Sequence, residues 1–122
     1  MRALVTGANG FVGRHLVAHL RDSGDEVVES AIDITDRDRF AAHMADVAPD
    51  VVYHLAAQAD EGGAWHDPIQ TLRTNVEGTV NVLDAAVGAG VRRLLAVTSA
   101  DLYGPVSEED LPLTESQPVR PV

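Results

Sequence analysis

The stretch Arg2-Ala-Leu-Val-Thr-Gly-Ala-Asn-Gly-Phe-Val-Gly13 decides how this chain folds. Arg2 to Thr6 is short and largely apolar and ends at Gly7, and beyond it Val12, Leu16, Val17 and Leu20 recur at helical spacing. The segment therefore reads as strand, glycine turn, helix. Gly7, Gly10 and Gly13 follow the T-G-x-x-G-x-x-G pattern, one residue longer between the first two glycines than G-x-G-x-x-G. Each glycine meets a separate physical need. Gly7 permits a tight exit from the strand, Gly10 lets backbone approach a pyrophosphate, and Gly13 lets the helix pack closely. The helix N-terminus then offers free N–H groups and a positive dipole end to phosphate. Three glycines can also serve backbone geometry alone. A strand before them, an amphipathic helix after them and a βαβ repeat downstream favour the cofactor reading. Asn9, Phe11 and Val12 are counted with the glycines as cofactor-binding residues.

Outward from this turn the same alternation continues. Gly24, flanked by Asp22, Ser23 and Asp25, stops the first helix, and Glu26 to Glu29 makes a second strand. Thr35-Asp36 caps a helix from Arg37 to Val47, with Phe40, Met44 and Val47 on one face. Pro49 ends it, and Asp50 to Ala56 is a nearly continuous apolar run, the pattern of a parallel strand covered on both faces. A polar loop from Gln58 to Pro68 leads to a helix striped by Leu72, Val76, Val80, Leu83 and Val87, ended by Gly88 and Gly90. Arg92 to Val97 is predicted as a fourth buried strand, and the proline-containing remainder has no period. The order β-α-β-α-β-α-β predicts an α/β fold, a Rossmann-like doubly wound parallel sheet, in one domain over residues 1–122. No helix pattern follows the fourth strand, so the sheet is expected to be truncated before its last strands, with the substrate domain absent.

An acid about 20 residues beyond the glycines would hold the adenosine ribose. Ser30 and Ala31 stand there instead. Glu29 is the alternative acid and no nearby arginine takes a 2′-phosphate, so the expected cofactor is NAD or NADP. Asp33 and Ile34 border the adenine in this reading; as a bare turn residue, Asp33 would only lead into the next helix.

Composition excludes several classes. The nine basic residues are all arginine against nineteen Asp and Glu, a formal charge of −10 that opposes nucleic acid and anionic membranes. The apolar runs fall short of the roughly 20 residues that span a bilayer, and no leader pattern follows Met1, so a cytoplasmic protein is expected. Without cysteine there is no disulfide or thiolate metal site. His15 and His19 share a helix face but lack an H-E-x-x-H pattern, so no metal site is expected.

Five stretches in order, Thr6-Gly-Ala-Asn-Gly-Phe-Val-Gly13, Asp33-Ile-Thr-Asp36, His54-Leu-Ala-Ala-Gln58, Thr74-Asn-Val-Glu-Gly-Thr79 and Thr98-Ser-Ala-Asp-Leu-Tyr-Gly104, resemble the extended short-chain dehydrogenases/reductases of the NAD-dependent epimerase/dehydratase type. Asp67-Pro68 and Leu111-Pro-Leu-Thr-Glu115 look most like GDP-4-keto-6-deoxy-mannose reductases and GDP-mannose 4,6-dehydratases. The resemblance implies nucleotide-sugar chemistry, with 4-keto reduction of a GDP-6-deoxy-hexose as the first expectation. It places Leu55, Ala56, Ala57 and Gln58 along the cofactor and Asn75 in support of that strand end. It makes Ser99 the hydroxyl that stabilises charge on the reacting oxygen, and puts Asp101 where dehydratases carry a glutamate. Read without the family, Ser99 is a strand-end polar residue and Asp101 a turn former. The family's acid/base is Tyr-x-x-x-Lys, in which lysine lowers the phenol pKa. Tyr53 and Tyr103 are followed four positions on by Ala57 and Ser107, and the chain has no lysine. Alone, these residues are expected to be inactive, as the cofactor-binding part of an enzyme whose partners are a nucleotide sugar and a homodimer mate or complementing chain. The second reading is a non-catalytic dinucleotide-binding or interaction module.

Overall fold

A computed structural model describes residues 1–58 and 66–121. The chain runs β1 (Arg2–Thr6), α1 (Phe11–Asp22), β2 (Glu26–Ser30), α2 (Arg37–Val47), β3 (Val51–His54), α3 (Pro68–Leu72), a π-helical segment (Arg73–Gly78), α4 (Thr79–Gly88) and β4 (Arg93–Ala96). Two short 3₁₀ turns follow, Ala100–Tyr103 and Glu108–Asp110. All strand pairs are parallel, in the order β2-β1-β3-β4. The direction of winding reverses at β1, where a doubly wound sheet opens its ligand crevice at the carboxyl ends of the strands. Register keeps those ends level: Thr6 lies opposite both Ser30 and His54, and His54 opposite Ala96.

Alternation along β1 divides the core into two layers. Ala3 and Val5 point with Val51 toward α1, where Val17 and Leu20 close the layer. Leu4 points the other way, with Val52, against Phe40 and Met44 of α2 and Val82, Ala85 and Ala86 of α4. Leu4, Phe40, Met44, Val52 and Val82 are completely buried, each worth about 1.5–3 kcal/mol of transfer energy as an upper estimate. The polar Asp36 starts α2 as predicted, its carboxylate accepting from the Arg39 amide at 3.3 Å. Helix α2 ends at Ala48, in left-handed backbone (φ 44°) directly before Pro49.

Two expectations need correction. The stripe Leu72, Val76, Val80, Leu83 and Val87 does not pack on the sheet but faces outward, Val87 being 82% exposed. The inward face carries Gly78, Asn81, Val82, Ala85 and Ala86. Small residues let the helix approach the sheet and α2 closely, and their low hydrophobicity hides them from a periodicity reading. The predicted buried fourth strand is instead a mostly exposed edge: Leu94 packs inward, while Leu95 is 49% exposed.

Candidate cofactor site at the strand ends

The phosphate-turn glycines divide by what a side chain would meet. Gly7 has φ +68°, and a Cβ there would lie 2.7 Å from the Ala56 nitrogen and 2.8 Å from the Leu55 carbonyl carbon. At Gly13 a Cβ would run into the Gly7 carbonyl oxygen and come within 2.6 Å of that of Ala8. These two glycines are therefore required by packing. Gly10 differs: its φ is −72°, and among the described residues a Cβ would meet only the Gly7 oxygen, at 3.2 Å. No other described atom lies within 4 Å of that position, which leaves room for a ligand to approach the backbone.

Gly10 is also the N-cap of α1, and no side chain of the described residues caps that helix. Helices α2 and α3, in contrast, are capped by the carboxylates of Asp36 and Asp67. The first turn of α1 holds no acid, so its amides and dipole are left for an external anion. Phe11 is 73% exposed here, with the Arg14 guanidinium 5.2 Å from its ring centre. Asn9 and Val12 are exposed beside it.

Beneath the turn lies a hydrogen-bond network that sequence reading missed. The Thr6 hydroxyl oxygen is 2.7 Å from His54 Nδ1 and accepts from the amides of Leu55 and Ala56, each at 3.2 Å. His54 Nε2 reaches Thr79 Oγ1 at 3.0 Å. Burial pushes the His54 pKa below its ordinary value of 6.5. The available signal was His54 itself, the one strongly polar side chain inside an apolar strand run, since such a group must find partners.

The strand end continues into a reciprocal clamp: the Gln58 amide donates to Asn75 Oδ1 at 2.7 Å, and Asn75 Nδ2 donates to the Gln58 carbonyl at 3.1 Å. Asn75 thus holds backbone. Leu55 and Ala56 are partly buried, while Ala57 and Gln58 are exposed.

At the adenosine end, Asp33 accepts from the Thr35 amide at 2.9 Å and hydroxyl at 2.8 Å, bonds that lower its pKa, the amide first. This is a turn-forming role. Ile34 is 4% exposed, its side chain in the core against Gly78, and Asn81 Nδ2 donates to its carbonyl at 2.9 Å. Only its remaining backbone is left to face a ligand. Arg21 donates to Glu29 at 2.8 Å, whereas the buried Ser30 hydroxyl has no partner among the described residues. Beyond β4, Ser99 Oγ donates to Asp101 Oδ2 at 3.0 Å and accepts from the Asp101 amide at 3.1 Å. Both residues are exposed. No helix among the described residues is long and apolar enough to cross a membrane, and none of their His, Asp and Glu side chains form a group of three able to hold a metal.

A parallel sheet reversing at β1, with an uncapped helix over a three-glycine turn at that point, defines a Rossmann-type doubly wound α/β protein. The chain belongs to the NAD dependent epimerase/dehydratase family, whose model matches residues 3–122. It is 37% identical over 119 residues to GDP-6-deoxy-D-mannose reductase of Pseudomonas aeruginosa, covering 93% of this chain and 39% of the relative. It is 38% identical over 120 residues to UDP-glucuronic acid decarboxylase 1 of Arabidopsis thaliana, covering 85% and 27%. Among solved structures, the UDP-glucose-4-epimerase of Stenotrophomonas maltophila with bound NAD superposes with a TM-score of 0.86 at 30% identity, covering 98% of this chain and 43% of that one. Pseudomonas aeruginosa RMD complexed with NADPH gives 0.78 at 35%, covering 99% and 43%. The chain thus spans less than half the length of these relatives.

Proposed function

We propose that these residues bind the dinucleotide, NAD or NADP, of a nucleotide-sugar oxidoreductase, epimerase or dehydratase, with 4-keto reduction of a GDP-6-deoxy-hexose as the reaction of the whole enzyme. The observation that carries this reading is the N-terminus of α1, left without a side-chain cap among the described residues, beside Gly10, where a Cβ would meet one atom, the Gly7 oxygen. Family membership and the relatives found with NAD and NADPH support it.

In this reading the amides of the α1 first turn hold the pyrophosphate, and Ala56 and Ala57 leave room along the strand end. Asn75 fixes that strand end through Gln58. When bound, the nicotinamide supplies the hydride chemistry. Ser99 turns its hydroxyl hydrogen from Asp101 to the reacting sugar oxygen and stabilises charge there. The chain's 122 residues contain no lysine, so a Tyr-x-x-x-Lys acid/base must come from elsewhere, and cofactor binding is the role assigned to these residues. The outward apolar stripe on α3 and α4 is proposed as the surface for a homodimer mate or a complementing chain. A non-catalytic dinucleotide-binding or interaction module is the second reading, favoured by one observation: Ser99 and Asp101 satisfy each other as a local cap.

The test is fluorescence titration of the purified chain with NADH and NADPH. Saturable binding that Gly10→Ala removes supports the reading; a folded chain that binds neither cofactor sinks it.

A further inference from the structure

We infer that His54, as the neutral Nε2–H tautomer, is a positioning residue that sets the phosphate turn through Thr6 without touching the cofactor, and that its protonation weakens dinucleotide binding. The inference rests on the cofactor reading above.

Proton accounting at Thr6 is the argument for this tautomer. A hydroxyl oxygen has two lone pairs and one hydrogen. Both lone pairs of Thr6 Oγ1 are engaged by the Leu55 and Ala56 amides. The hydrogen is left for His54 Nδ1 at 2.7 Å, so Nδ1 is an acceptor and the ring proton sits on Nε2. Nε2 accordingly donates to Thr79 Oγ1 at 3.0 Å. One imidazole thus joins the ends of β1 and β3 to the start of α4.

The peptide that Thr6 holds is also the wall behind Gly7. The space a Gly7 Cβ would need is already occupied by Leu55 and Ala56 backbone, so displacement of that peptide displaces the turn. Leu55 keeps a second acceptor in the Thr6 carbonyl, at 3.2 Å, which leaves Ala56 as the amide most dependent on the hydroxyl.

Protonating Nδ1 would aim a third donor at an oxygen with two lone pairs and leave the hydroxyl hydrogen without its acceptor. No neighbouring charge among the described residues offsets this. The only charge on β1 is Arg2, at the opposite end of the strand, and β4 places Ala96 across from His54, with Arg93 across from Val51. On the π-helical segment and α4, Arg73, Glu77 and Asp84 are exposed, and Arg37 of α2 is paired with Asp84. Burial is the one cause of the lowered His54 pKa.

The test combines long-range ¹H–¹⁵N NMR of the wild-type imidazoles with NADH titrations at about pH 7.5 and about pH 5.5, where a histidine switch is read. The expected result is an Nε2–H tautomer for His54 and weaker NADH binding at the lower pH. In Thr79→Val the affinity falls about tenfold, the worth of one hydrogen bond, and Thr79→Ser restores it. His54→Asn, which keeps an acceptor toward Thr6 but does not titrate, should flatten the pH dependence. An Nδ1–H tautomer in the wild type overturns the inference whether or not the variants fold, as does unchanged pH dependence in His54→Asn. Absence of NADH binding by the wild type at both pH values overturns the cofactor reading itself.

Discussion

At the residue scale, the three glycines of one motif have different physical reasons to be glycine. Gly13→Ala forces a methyl group onto backbone carbonyls that cannot rotate away, and should cost about 3 kcal/mol or prevent folding. Gly10→Ala meets a single atom at 3.2 Å, so stability should stay within about 1 kcal/mol while cofactor affinity falls at least about tenfold. Denaturant melts beside cofactor titrations separate the two. The motif was legible in the sequence because its residue types are few; the division of labour was not, because it depends on which backbone atoms surround each Cα. The partners of His54 were illegible for a related reason, lying 48 and 25 residues away.

The same histidine gives a pH prediction for stability. Its folded pKa lies below the unfolded value near 6.5, so above that pH both states are neutral and it adds no slope. As pH falls below 6.5, the unfolded chain takes up a proton that the folded chain resists, and stability declines until the folded pKa is passed. The lowered Asp33 and Asp50 act in a separate window: their stabilisation is present above 3.8 and is lost as pH falls below it. Chemical denaturation from about pH 7.5 down to about pH 4.5 should therefore show a decline that His54→Asn reduces.

At the scale of elements, the helix leading to β4 is built to hold neighbouring loops. Its π-helical turn carries Asn75, which clamps Gln58, and Gly78, which receives Ile34. Such widened turns commonly mark functional positions. One turn on, Asn81 is buried and donates to the Ile34 carbonyl. Asn81→Ala should cost about 1–3 kcal/mol by leaving that carbonyl without its partner, read as a lower melting midpoint. Asp36→Ala should cost about 1 kcal/mol through loss of the α2 cap. The cap was legible because it is local, and α2 was found at its observed limits. The inward face of α4 was not, since glycine, asparagine and alanines make a weaker apolar signal than the valines and leucines opposite them.

At the scale of the molecule, one helix presents a small-residue face to the core and a bulky apolar face to the outside. Glutamate at Val80 or Leu83 should change the stability of the isolated chain by less than about 1 kcal/mol, because both are already exposed. Val82→Ala, between them and completely buried, should cost about 2 kcal/mol. Light scattering on Leu83→Glu would show whether the stripe joins chains: a shift to smaller mass supports an interface there, and unchanged mass removes it. The alternating elements and parallel sheet were legible in the sequence, but the exposed edge was not, since an apolar strand reads alike whether or not anything covers it.

The level register of the strand ends has a consequence for how the protein opens. β1 is hydrogen-bonded along both edges, whereas β2 and β4 each have a free one among the described residues. Local opening begins where fewest ladder bonds must break. Amide exchange should therefore be slowest in Leu4 and Val5 and fastest among the strands in β4. The phosphate turn grows directly out of the slowest strand, so Gly7 to Gly13 can adjust to a ligand while their anchor stays closed through nearly every fluctuation short of global unfolding.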